Sequence, residues 1–199
     1  KLPSFFLYLR MSQIEEIRAV LEQSSNEEAM SAATRFIPGV SNAIGVRMPV
    51  INELAKKFKA GGFELAITLW NSNIHEEKLL AAKILGLTAK TDIDKTFEVI
   101  EYFSKNIENW AICDTVAMQG ARSCFKKEPK SLWELSEKFC SSDDIWTLRL
   151  GIVLMWHYTK DPYYKSLILN RLAPFENRKE KYIKKAVFWI NKDLKKYQG

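Results

Sequence analysis

Asn109-Trp110-Ala111-Ile112-Cys113-Asp114, near the middle of the chain, reads as the start of a helix. Asn109 can cap a free amide of the first turn, and apolar residues then recur at Ile112, Val116 and Phe125. Trp110 and Asp114 are four apart, so one helical face carries both, a turn from each other. Ala117 and Ala121 extend that face with small side chains, which predicts open room above it. An indole beside a carboxylate over a bare ridge makes a poor core and a reasonable site.

Two flanking stretches add to this. Asp143-Asp144-Ile145-Trp146-Thr147-Leu148-Arg149 opens a helix in which Arg149 shares a stripe with Ile145, Ile152, Val153 and Trp156. A guanidinium in that setting must find an anion, because desolvating it alone is costly. Asp114 and Asp143 are candidate partners within the protein, and a bound anion such as a phosphate is a candidate outside it. The last helix, expected from about Glu176 to Tyr197, puts Ile183, Val187, Ile190 and Leu194 on its apolar face. Lys181, Lys185, Lys192 and Lys196 fall on the other side, and Trp189 is expected to sit among them, facing away from the core.

Asn-Trp-x-x-x-Asp at 109–114, Ile-Trp-x-x-Arg at 145–149 and Lys-Ala-x-x-Trp at 185–189 together resemble the DNA alkylation repair glycosylases of the AlkD family. Ile44-Gly45-Val46-Arg47-Met48-Pro49 agrees, as does Leu69-Trp70 followed by His75-Glu76-Glu77-Lys78-Leu79-Leu80. The resemblance runs in order from about Gly45 to Trp189. It implies a superhelix of HEAT-like helical pairs and removal of alkylated bases from double-stranded DNA. It also implies a lesion that stays near the base stack while the enzyme grips the backbone, and hence tolerance of bulky adducts. Where the family often has an aromatic and an acidic residue around the motif tryptophan, this chain has Asn109 and Ala111. Phe36 stands nearest to the lesion-holding tyrosine near the family's N-terminus, keeping the ring without the hydroxyl.

The bounds are compatible with this. The 199 residues fit one domain with a sizeable core. Thirty lysines and arginines against 24 acidic residues give a net charge of +6 and a pI near 9.1, which permits a polyanionic partner without demanding one. Cys113, Cys124 and Cys140 are odd in number and lie in apolar helical contexts, so they read as reduced thiols of a cytoplasmic protein; the family resemblance implies association with the nucleoid if the source is a prokaryote. Phe5-Phe6-Leu7-Tyr8-Leu9 is too short to span a membrane, and a chain opening on Lys1 suggests residues before it. With two histidines in the whole chain, His75-Glu76-Glu77 reads as a helix start rather than a metal fragment. No cofactor, metal or membrane is expected, and the protein is expected to act as a monomer.

No strand pattern competes with the helices. Apolar periodicity marks 12–23; Asn26 opens a helix that Pro38-Gly39 ends; Pro49 launches one that Gly61-Gly62 stops. Helices then follow at about 63–70, 74–88, 91–107, 110–125, 132–140 and 145–156, with Pro162 and Pro174 bracketing the remaining pair. Paired helices in this rhythm fit either an ordinary helical bundle or an α-solenoid, both all-α in class; the family resemblance implies the solenoid, with a concave surface lined by cations. Arg47, Arg149, Arg178, Lys181, Lys185 and Lys192 are the candidate phosphate contacts.

The chemistry implied is hydrolysis of an N-glycosidic bond. A purine alkylated at N3 or N7 is cationic and already a good leaving group, so no strong acid is needed on the base. A carboxylate is needed near the sugar that becomes oxocarbenium-like, and Asp114 is the candidate. Trp110 and Trp189 are expected to cup that sugar, each indole face attracting the developing charge by ~0.5–2 kcal/mol. With no lysine marked as a Schiff-base nucleophile, a monofunctional enzyme is expected. A silent DNA-binding helical-repeat protein and a protein–protein scaffold are the alternatives.

Overall fold

The computed structural model describes residues 2–198, with side chains from Arg10 to Tyr197. It is all-α, as expected: the described residues contain no strand, only an isolated antiparallel bridge between Ser25 and Val46. The first half of the chain forms α1 (Leu2–Gln23), α2 (Glu27–Phe36), α3 (Met48–Phe58), α4 (Gly62–Trp70), α5 (His75–Thr88) and α6 (Ile93–Ser104). The second half forms α7 (Trp110–Thr115), α8 (Arg122–Lys127), α9 (Pro129–Cys140), α10 (Ile145–Leu154), α11 (Lys165–Leu172) and α12 (Lys181–Gln198).

Helix starts follow the predicted capping chemistry. Asn26, Asp92, Asn109 and Asp144 each accept an amide hydrogen bond three residues on, at 3.0, 2.8, 3.1 and 2.8 Å. The largest shifts from the sequence reading are at two helix starts; α9 also starts at Pro129 rather than Leu132, α6 stops at Ser104 rather than near Ile107, and the helix expected over 110–125 is interrupted after Thr115. The first helix begins upstream of Ser12, at Leu2, and the last begins at Lys181 rather than near Glu176. In the latter case Ala173–Phe175 forms a separate 3-10 turn and Glu180 bonds back to Arg178, so the chain reaches α12 only afterwards.

Helix packing runs in chain order. One series of contacts links α3 to α5, α5 to α7, α7 to α10 and α10 to α12; a second links α4 to α6, α6 to α8 and α8 to α9. α5 and α10 sit deepest, with Leu80, Ile84, Leu150 and Ile152 wholly buried. Trp70 stacks on Phe103 at 3.9 Å inside this core, in keeping with its reading as a packing residue.

Between α7 and α8 the chain makes a π-helical turn, Val116–Gly120. The extra residue pushes the Gln119 carbonyl against α5 at Gly86, where a Cβ would overlap it. This turn corrects one expectation. Ala117 and Ala121 do not leave open room; both are completely buried, and it is Met118 and Gln119 that face outward.

Candidate active site

Trp110 and Asp114 open onto one hollow of about 580 Å³. The floor comes from α7 and the π turn, through Trp110, Ala111, Asp114, Thr115, Met118 and Gln119. The opposite wall is the alanine face of α2 (Ala29, Ala32, Ala33) together with Phe36, and Arg47 and Glu28 stand at its edge. α2 has no buried residue of its own. It is tied at its C-terminal end by the Trp110 indole, which donates to the Phe36 carbonyl at 3.1 Å.

Asp114 is fixed from behind. Arg149 Nε and Nη2 donate to its two carboxylate oxygens at 3.0 and 2.9 Å, and Nη1 donates to the Tyr182 carbonyl at 2.6 Å. Of the partners weighed for Arg149, Asp114 is therefore the one it takes, in the planar two-bond geometry only arginine offers. Arg149 is 5% exposed, and each of its three guanidinium nitrogens donates within the protein, so it is a buried ion-pair partner rather than an exposed phosphate contact. Burial raises the Asp114 pKa above the ordinary aspartate value, and Arg149 opposes that shift. The carboxylate side chain nevertheless remains 18% exposed, towards the hollow.

Behind the hollow, Glu76 accepts backbone amides from Ile44, Gly45 and Val46 at 2.9, 2.8 and 3.3 Å. That clamp holds the α2–α3 loop on α5. Gly45 is needed there: its φ is +84°, and a Cβ would come within 2.8 Å of the Asn26 carbonyl and Met30. His75, beside Glu76, is buried in the hollow's lining with no partner for Nδ1 among the described residues. Desolvation lowers its pKa.

The remaining candidates are dispersed. Arg47 is exposed and its Nη2 lies 2.6 Å from Glu28. Phe36 is 63% exposed, at the junction of the hollow with a second one that Lys181 and Lys185 line. Lys192 is exposed further along α12, and Arg178 pairs with Glu180. Trp189 is not among the residues lining the Asp114 hollow. It is also not outward-facing as expected: it packs, half-buried, against the core, and the fully displayed aromatic of α12 is Phe188 at 70% exposure. The reason is angular. Trp189 shares a helix face with Tyr182 and Asp193, whose backbone carbonyl and carboxylate reach Arg149 and Trp156.

The cysteines offer no nucleophile. Cys113 is buried with its sulfur 3.7 Å from the Trp146 carbonyl, and burial pushes Cys124 and Cys140 up to about 12. The sequence reading missed Glu76 as a clamp and Met118, Gln119 and Lys83 altogether. The π turn that aims Gln119 carries no sequence signature.

Fold and site define an all-helical protein that holds a rigidly oriented carboxylate and an indole at the edge of an open hollow. The sequence pattern of the DNA alkylation repair enzyme family matches residues 17–198, and the chain belongs to that family, in agreement with the resemblance carried by its motifs. A comparison with individual curated proteins returns no match. No helix among the described residues is long and apolar enough to cross a membrane.

Proposed function

We propose that the chain is a monofunctional DNA glycosylase hydrolysing the N-glycosidic bond of cationic N3- or N7-alkylated purines in duplex DNA. The single observation that carries the reading is the Asp114 carboxylate, aimed by Arg149 into a hollow it shares with Trp110. As the bond breaks, its electron pair neutralises the cationic base and positive charge develops on the sugar. A fixed carboxylate lowers the energy of that state without reorganising. Water then bonds to C1′ and loses its proton to solvent. Arg149 acts here as a positioning residue for Asp114. Trp189, two turns after Tyr182 on the same face of α12, lies outside the hollow's lining, and its place beside the sugar is carried by the family resemblance alone.

The order of helix contacts supports an α-solenoid of HEAT-like pairs, with α3, α5, α7, α10 and α12 as the series that faces DNA. Arg47, Lys181, Lys185 and Lys192 are the proposed backbone contacts, and Phe36 the aromatic beside the lesion. Arg47 must leave Glu28 to engage a phosphate.

The test is release of 3-methyladenine and 7-methylguanine from methylated duplex DNA. Wild type should release both, and Asp114→Asn should be slower by about 100-fold or more. Because burial raises the Asp114 pKa, activity that needs the ionised form should fall, on acidification, at a pH above that of an ordinary aspartate. DNA binding without release identifies a silent binder, and failure to bind identifies a scaffold.

A further inference from the structure

α5 buries four charged side chains besides His75, and three of them are matched. Glu76 takes three backbone amides. Glu77 meets Arg18 at 2.8 Å, and Lys78 meets Glu108 at 2.6 Å and the Asn106 carbonyl at 3.3 Å. Lys83 is the exception. The residue is only 5% exposed, yet the partner of its ammonium is a neutral amide, Gln119 Oε1 at 2.8 Å. Burying a cation with one neutral acceptor is costly, and natural cores rarely accept that cost without a counter-charge.

The side chain ends at a hollow of about 410 Å³ between α3, α5 and α8. Arg122, exposed on the rim, adds a second cation with no ion pair recorded among the described residues. Glu53, the acid of this hollow, is already 2.7 Å from Lys56. The net character is therefore cationic. Gln119 also lines the Asp114 hollow, so the two adjoin across one side chain of the π turn.

The geometry points to this second hollow as a phosphodiester subsite, in which Lys83 and Arg122 hold a backbone phosphate of the DNA whose lesion lies over Asp114. This rests on the glycosylase reading for its ligand source, though not for its chemistry. Phosphate is the anion that the neighbouring site brings with it, and two cations converging on one opening suit its several oxygens. Burial already lowers the Lys83 pKa below its ordinary value of 10.5, and an arriving anion would relieve that. Grip here, one residue away from the carboxylate's hollow, would fix the sugar without any contact to the base.

The test compares wild type with Lys83→Met, which keeps an unbranched side chain and removes the charge. Duplex binding is measured across salt concentration, and melting is measured in inorganic phosphate and in chloride at equal ionic strength. The expected result is a salt slope shallower by about one unit in the variant, and roughly 10-fold weaker binding at low salt. Melting of the variant in chloride should be unchanged or higher, and phosphate should raise the melting temperature of wild type only. A structural lysine would show the reverse: lower melting in chloride and an unaltered slope, which overturns the subsite. If wild type binds no DNA but is stabilised by phosphate through Lys83, the phosphate site stands and the DNA source falls. If neither phosphate nor DNA distinguishes the two proteins, the subsite is wrong whatever the enzyme does.

Discussion

α5 turns its charges inward and α12 turns them outward. In α5, Glu76, Glu77, Lys78 and Lys83 are all buried, each joined to a group elsewhere in the chain. In α12, Lys181, Lys184, Lys185, Lys192, Lys195 and Lys196 are exposed, while Ile183, Val187, Ile190 and Leu194 are buried. The first helix is a fastener: its charges hold the α2–α3 loop, α1 and the α6–α7 connection in place. The second is a display, free to meet a partner. Charge inside stabilises only when matched; charge outside is cheap and available.

The contrast can be broken most easily at Glu76. Glu76→Gln replaces an acceptor of three amides by a group with one acceptor and two donors, so about 2–4 kcal/mol of stability should be lost in urea denaturation. A loss below ~1 kcal/mol would show that the clamp is not what holds the loop. Trp189→Ala comes next. Because the ring is half-buried against the core, a loss of about 1–2 kcal/mol is expected alongside slower base release, and slower release without destabilisation would return the ring to solvent.

Smaller again is the effect of pH on the two histidines. Desolvation holds both His75 and His157 below the ordinary value of 6.5, and His157 Nε2 faces the Ala117 carbonyl with Arg122 nearby. A depressed folded-state pKa gives stability that is present above the unfolded value and lost as pH falls from 6.5 towards the folded value. Melting temperature should decline over that interval, and less steeply in His157→Gln. Smallest of all is the display. Lys185→Ala and Lys192→Ala should each change stability by less than ~0.5 kcal/mol, while each reduces the salt slope of DNA binding by about one unit. An equal slope would make that face solvent-facing only.

The same contrast explains what could be read in advance. α12 was legible because its lysines and apolar residues alternate at the helical period, and the caps at Asn26, Asp92, Asn109 and Asp144 are local signals within three residues of their partners. α5 was legible as a helix but not as a fastener, since Glu76, Lys78 and Lys83 find partners 28 to 36 residues away. Asp114 and Arg149 were each identifiable as residues needing company, and Asp114 was one of two acids that could have supplied it. Trp189 was misoriented because one residue, about a hundred degrees of helix, separates it from the displayed Phe188. The π turn shifted the room above α7 from Ala117 to Met118 and Gln119, and nothing in local composition announces such an insertion.

The wall opposite Asp114 has a consequence for adduct size. No residue of α2 is fully buried, and its ties among the described residues include the Asn26 amide to Gly45, Glu28 to Arg47 and the Trp110 indole to Phe36, beside the packing of Met30 on Gly45. On the proposed glycosylase reading, an oversized alkyl group would meet one side braced by α5 and α10 and one side whose displacement leaves the interior intact. On that reading, the bulk a lesion can carry is limited by the surface ties of one helix rather than by the dimensions of a preformed cavity.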